Sequence, residues 1–265
     1  MVFVDFSTPA VQAIFRAWLC EHEARIRALT SSLPSLIESS LAAAENSRDF
    51  RPLGLVLDID ETVLCNIHMN AHTGFAAAPS AGGLRPSGAS NGAAEQGAPF
   101  RVADCFDFRI PPGAWTWSDV TRGSGDDISP PYPGAAELVA TAKKLGLTVF
   151  YVSGRRERLR AETNDNLYLT GLDPGEAYSA PPGRGCLSCG SRRERVPNLY
   201  LLPDEYDLTP EGEARGSVRP FKESCRERIE RTHRILATVG DQLSDFGAHC
   251  GDNQFLFGHS FYFTP

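Results

Sequence analysis

Apolar residues recur at helical spacing along the N-terminal stretch. Thr8-Pro9 reads as a cap followed by proline at the first helical position, and Val11, Ile14, Phe15, Trp18 and Leu19 follow on one face. This predicts an amphipathic helix to about Leu29, then a second helix opened by Pro34 that carries Leu36, Ile37 and Leu41 and fades at Asn46 to Arg48. The period changes at Leu53 to Leu57, where LGLVL is a short, nearly continuous apolar run of the kind that forms a strand buried on both faces of a parallel sheet. That run ends at Asp58. From Pro133 the pattern alternates: helix Ala135 to Leu145 closed by Gly146, strand Leu147 to Val152, helix Arg155 to Thr170 closed by Gly171, strand Asn198 to Leu202, helix Lys222 to His233, strand Ile235 to Val239. Strands alternating with helices imply a three-layer α/β fold around a doubly wound, Rossmann-type parallel sheet.

Between the first strand and Pro133 the alternation stops. Residues 76–99 are little but Ala, Gly, Ser and Pro, too poor in large apolar groups to order themselves, and are expected to form a flexible loop. The same insertion holds aromatic segments, Phe106 to Phe108 and Trp115 to Trp117. The expected organisation is therefore N-terminal helices over 1–50, a core made of 51–68 and 133–265, and a small inserted cap over 69–132. A second irregular insert, Pro174 to Pro197, carries Cys186-x-x-Cys189.

Composition narrows the function classes. A formal net charge of -7 argues against a nucleic-acid partner, whose phosphates are held by clustered Lys and Arg. No apolar run approaches the roughly 20 residues a membrane helix needs, so no membrane partner is expected. Asp5 and Arg16 interrupt the place where a secretion signal would be apolar, and an odd number of cysteines, 7, lacks a disulfide-like spacing. Both point to a cytoplasmic protein with reduced thiols.

Candidate chemistry lies at the strand ends. The first strand runs into Asp58 and Asp60, the second into Ser153-Gly154-Arg155, and the last into Gly240-Asp241 with Asp245 beyond. In a parallel sheet these C-terminal ends share one edge, where ligands of open α/β sheets bind. Four carboxylates gathered there repel one another, and a divalent cation removes the conflict. An all-oxygen set from Asp58, Asp60, Asp241 and Asp245 suits Mg2+ completed by a substrate phosphate. Ser153 and Gly154 at a helix start would offer a hydroxyl, free N–H groups and the positive helix end to phosphate.

Asp58-Ile59-Asp60-Glu61-Thr62-Val63 after one apolar strand, Val152-Ser153-Gly154-Arg155 after a second, Lys222 opening a helix, and Gly240-Asp241-Gln242-Leu243-Ser244-Asp245 resemble, in order, the motifs of haloacid dehalogenase-like (HAD) phosphatases. The strings DIDETVL, YPGAAELV, YVSGR, FKESCRERI and GDQLSDF, with the T-x-x-N-L run at Thr163 to Leu167, resemble the subfamily IIIB acid phosphatases, which include bacterial class C acid phosphatases and plant vegetative storage proteins. The resemblance spans Leu53 to Phe257 except the Ala/Gly-rich stretch and the Cys186 insert. It implies a magnesium-dependent phosphomonoesterase. Asp58 would be the nucleophile that forms an aspartyl-phosphate, and Asp60 the general acid and base, its carbonyl a metal contact. Ser153, with Gly154, Arg155 and Thr62, would bind the phosphate, Lys222 would neutralise charge, and Asp241 and Asp245 would hold Mg2+. The implied partner is a small phosphomonoester, a nucleoside monophosphate first among them; the state, monomer or homodimer, is left open.

Other readings remain. A calcium loop at Asp58 fails because Val63 and Met69 stand where a turn glycine and an acidic residue belong. A phosphoserine protein phosphatase would share the Asp-x-Asp-x-Thr loop but keep an open cleft, and a storage or binding protein would be expected to have lost Asp58. Cys186 and Cys189 lack the second pair that a zinc site requires. His68 and His249 have no partner in the pattern.

Overall fold

A computed structural model describes residues 9–66, 129–172, 198–207 and 218–258. Most of the expected cap, including the 76–99 stretch, His68 and the aromatic residues Phe106, Phe108, Trp115 and Trp117, lies outside the described residues, as do Cys186 and Cys189.

The N-terminal pattern forms one helix rather than two. Helix α1 (Pro9–Ser47) runs 39 residues with Pro34 inside it. Proline there removes the N–H that would meet the Thr30 carbonyl, a strong reason to expect a break. The helix persists because its buried stripe stays in phase across the proline: Phe15, Leu19, His22, Ile26, Leu29 and Leu33 are buried before it, and Ser40 and Ala44 after it. Next to the proline, hydroxyls turn back onto the helix, Thr30 Oγ1 donating to the Ile26 carbonyl at 2.8 Å and Ser32 Oγ to the Leu29 carbonyl at 2.8 Å. Such bonds accompany a bend.

The other elements are β1 (Leu53–Leu57), α2 (Ala135–Lys144), β2 (Thr148–Arg156), α3 (Arg160–Leu169), β3 (Leu199–Leu202), α4 (Arg219–Glu230), β4 (Arg234–Gly240) and β5 (Asn253–Leu256). The sheet has the order β3-β2-β1-β4-β5, and every pairing is parallel. β1 is central and the order reverses between it and β4, so their C-terminal ends flank the switch point. Gly54 in β1 leaves room for the Phe150 ring, which would lie 2.9 Å from a Cβ placed there.

Alternate residues of the strands feed two cores. Leu55, Leu57, Val149 and Tyr151 pack with Ile26 and Leu29 of α1 and Leu138 and Val139 of α2. Val56, Phe150 and Val152 pack with Cys225 and Ile229 of α4. The three layers are therefore α1 with α2, the sheet, and α4. β5 escapes the sequence pattern because its NQFL is an edge strand with alternating exposure and no apolar run. Among the described residues no helix is long and apolar enough to cross a membrane, and Cys20, Cys65, Cys225 and Cys250 are free thiols.

Replacing Pro34 by alanine restores the missing helical N–H donor without changing the buried stripe. The expected outcome is a gain of about 1–2 kcal/mol, less than the full helix-interior proline penalty because the unfolded chain also gains freedom. A thermal or urea melt reads it; loss of stability would show that the proline bend is required for packing.

Candidate active site

The β1–β4 pairing continues one residue past β1, the Asp58 N–H donating to the Val239 carbonyl at 2.9 Å. Asp58 is thus fixed as strand, and its side chain is buried. Beyond it the chain folds over the Ile59 carbonyl, which accepts from the N–H groups of Val63 at 3.0 Å and Leu64 at 2.9 Å. Buried Ile59, Val63 and Leu64 anchor this turn in the core. It forces Glu61 into the left-handed region at φ 56°, a conformation that costs a non-glycine residue of order 1 kcal/mol. His22 of α1 supports the turn from below, its Nε2 within 3.0 Å of the Thr62 carbonyl. Its ring lies against that of Tyr132, the centroids 4.1 Å apart and the planes tilted by 36°.

At the end of β4, Gly240 allows the next turn to fold back closely. A Cβ there would lie 2.3 Å from the β-carbon of Asp245. The Gln242 N–H donates to Asp245 Oδ2 at 2.9 Å, and Gln242 Nε2 donates to Asp241 Oδ2 at 2.6 Å. From α4, the buried Arg226 guanidinium donates to the carbonyls of Asp245 at 2.8 Å and Ala248 at 3.1 Å. Asp241 and Asp245 are therefore held by main-chain geometry as well as by side-chain contacts.

Asp58, Asp241 and Asp245 each bring a carboxylate oxygen within 4.8 Å of the others, and all three are buried. Lys222 reaches in from α4, its Nζ 2.9 Å from Asp58 Oδ1 and also bonded to Asp245. Burial, then the negative neighbour Asp245, push the Asp58 carboxyl well above the usual range in spite of Lys222. Asp245 is likewise raised, by burial first and by Asp241, against the pull of Lys222. Burial alone would lower the Lys222 ammonium, but Asp245 and Asp58 outweigh it and raise it. The cluster carries more negative charge than its lysine compensates. An all-oxygen, carboxylate-rich donor set with surplus negative charge fits a hard divalent cation.

Several expected site residues stand differently from the sequence reading. Ser153 and Gly154 do not begin a helix, because β2 continues through Arg156 and a 3-10 turn (Glu157–Leu159) precedes α3. A register irregularity against β3 between Ser153 and Arg156 carries the strand on, so no helix N-terminus backs these residues. Lys222 lies in the first turn of α4 rather than at its start. Thr62, expected at phosphate, donates from Oγ1 to Asp241 at 3.3 Å. Arg155, also expected at phosphate, lays its guanidinium on Asp60, with Nε 3.0 Å from both carboxylate oxygens and Nη2 2.7 Å from Oδ1. That pair is largely enclosed, the Arg155 side chain 1% and the Asp60 side chain 17% exposed. His249 does have a partner, Glu230, at 2.6 Å.

Sequence reasoning missed His22, Asn66 and Arg226. Asn66 Nδ2 donates to Asp60 Oδ1, while its backbone N–H donates to Glu61 Oε1 at 2.8 Å. A helical stripe that places a histidine among Phe15, Leu19 and Ile26 was the only available signal for His22. Arg226 could have been found as the residue one turn after Lys222 on the same face.

The model for the HAD superfamily, subfamily IIIB (acid phosphatase), matches residues 115–265, more than half of the chain. The match begins after Asp58 and Asp60, whose place rests on the geometry above. Among solved structures, the chain resembles the class C acid phosphatase from Bacillus anthracis at 18% identity and a TM-score of 0.51, covering 92% of this chain and 80% of that one. The same enzyme with tungstate bound aligns at 19% identity and a TM-score of 0.48 over the same shares. No curated protein matches the chain in sequence.

Two measurements follow from the charge balance. Folded Asp58 and Asp245 retain protons that the unfolded chain releases, so without a divalent cation stability declines as pH rises above the ordinary carboxylate range. Thermal melts across that range should show the decline and its cancellation by added Mg2+; a flat profile without cation would overturn it. Gly240→Ala drives a Cβ into Asp245 and is expected to cost about 1–3 kcal/mol and to abolish the cation's effect on the melt.

Proposed function

The chain belongs to the acid phosphatases of HAD subfamily IIIB and is a phosphoric monoester hydrolase; from that premise we propose that Asp58 is its nucleophile and that Mg2+ is its metal. The observation that carries the reading is the position of Asp58 at the end of the central strand, beside Lys222 and within the Asp241–Asp245 cluster.

In the proposed reaction an Asp58 oxygen attacks phosphorus as the bond to the leaving oxygen breaks, and Asp60 gives that oxygen its proton. Hydrolysis of the aspartyl-phosphate reverses the duty of Asp60, which takes a proton from water. Asp58, Asp241, Asp245 and the Asp60 carbonyl would hold the cation, whose chemistry is to place positive charge on a phosphoryl oxygen and keep the carboxylates ionised. Lys222 ties Asp58 to Asp245 and limits rotation of the nucleophile. The Ser153 hydroxyl, which accepts from the Arg155 N–H at 3.1 Å, keeps its own proton to donate to a phosphoryl oxygen. Arg155 serves Asp60, and Thr62 orients Asp241. The residues 69–132 are proposed as a cap, and the family resemblance makes a nucleoside monophosphate the substrate class to test first.

Phosphate release from nucleotides, sugar phosphates and a phosphopeptide, with and without Mg2+, tests this. Asp58→Asn is expected to lower turnover by about 1000-fold or more while leaving the fold intact. A folded, cation-loaded wild type that hydrolyses none of them, or an active Asp58→Asn, would overturn the assignment.

A further inference from the structure

Asp60 is gripped unevenly. Its Oδ1 accepts from Arg155 Nε at 3.0 Å and Nη2 at 2.7 Å, and also from Asn66 Nδ2. Its Oδ2 meets, among the described residues, only the shared Arg155 Nε at 3.0 Å. Among the described residues, one oxygen therefore takes three donors and the other a single shared one.

The asymmetry depends on Asn66 presenting its NH2 and not its carbonyl, and the surroundings decide that. An ionised Asp60 can only accept, so Asn66 turns its NH2 to it and its Oδ1 to Ser129, whose hydroxyl donates there. Ser129 is held in turn by Asn166 of α3, whose Nδ2 donates to the Ser129 carbonyl at 3.0 Å. The Asn66 backbone is tied to Glu61 Oε1 at 2.8 Å, which closes the strained turn at Glu61. Asn66, Ser129 and Asn166 are all buried. A buried hydrogen-bonded relay of this kind fixes orientation more than it adds stability.

We propose that Asn66, oriented by Ser129, is a positioning residue for Asp60: with Arg155 it occupies Oδ1 and leaves Oδ2 as the oxygen that hands a proton to the leaving group and later takes one from water. The proposal rests on Asp60 being the general acid. Without the amide, the carboxylate rotates about the arginine fork and either oxygen can face the substrate. A misdirected acid slows expulsion of a basic leaving group and hardly affects a leaving group that departs as a stable anion.

The test uses the full chain with Mg2+ and reads kcat/KM, which reports steps up to loss of the leaving group, on an alkyl phosphate and on 4-nitrophenyl phosphate. Asn66→Asp keeps the shape but replaces the donor by an acceptor, and Ser129→Ala removes the bond that holds the far end of the amide in place. Asp60→Asn is the reference, and thermal melts report folding. Asn66→Asp is expected to lower kcat/KM on the alkyl ester by about 10- to 100-fold, with less than about a 3-fold change on the nitrophenyl ester; Ser129→Ala acts in the same direction and more weakly, and decides the matter if Asn66→Asp does not fold. Equal losses on the two esters in a folded variant, when Asp60→Asn does discriminate between them, overturn the role of Asn66 alone. Equal losses in Asp60→Asn remove the general-acid reading and the proposal with it.

Discussion

The structure turns on the repulsion among three buried carboxylates at the switch point of the sheet. Two unit charges about 4 Å apart interact by about 4 kcal/mol at an effective dielectric near 20. Asp58, Asp241 and Asp245 make three mutual repulsions, whereas Lys222 makes two attractions, with Asp58 and Asp245. One repulsion and the whole desolvation cost are left over. Only a rigid frame keeps such groups together, and the frame is visible: β4 pairing beneath Asp58, the tight approach permitted by Gly240, the Gln242 bonds and the Arg226 clasp on the turn. The same surplus is what suits the site to a cation.

The candidate site at the C-terminal edge of the sheet divides into two differently supported halves. Asp58, Asp241, Asp245 and Lys222 form a cluster with surplus negative charge between β1, β4 and α4. Asp60, Arg155, Asn66 and Ser129 form a hydrogen-bonded clamp between β1 and β2. The halves meet in the turn 59–64, where Thr62 bonds Asp241 on one side and receives His22 of α1 on the other. α1 is thus part of the site's support as well as a cover for the sheet.

Much of this could be read from the sequence because strand ends and period changes are local signals. LGLVL announces a two-faced strand, and the residues following it must lie at the C-terminal edge, so Asp58 and Asp241 were placed together before any geometry. What could not be read depended on distant contacts. Pro34 reads as a helix start, and only the stripe packed against the sheet shows why the helix continues. Ser153 to Arg156 read as a helix entry, and pairing with β3 keeps them extended. Arg155 bears the same charge whether it meets phosphate or Asp60, so its partner is a tertiary fact. β5 owes its existence to β4 rather than to its own NQFL.

The contact between α1 and the last strand has a consequence for biogenesis. Arg25 Nη1 reaches the Leu256 carbonyl at 3.4 Å across 231 positions of sequence, and the His22 ring meets that of Phe257 at 5.2 Å. During synthesis α1 emerges before the sheet it packs on, yet the surroundings of His22 are completed only when Phe257, beyond β5, has left the ribosome. The apolar stripe of α1 gains partners as β1, α2 and β2 follow, but the last of its contacts must wait, and apolar surface left uncovered by such distant pairings is exposed to misassembly. A transcript interrupted before β5 would yield a chain with Asp58, Asp60, Asp241 and Asp245 all present and an unfinished floor beneath them.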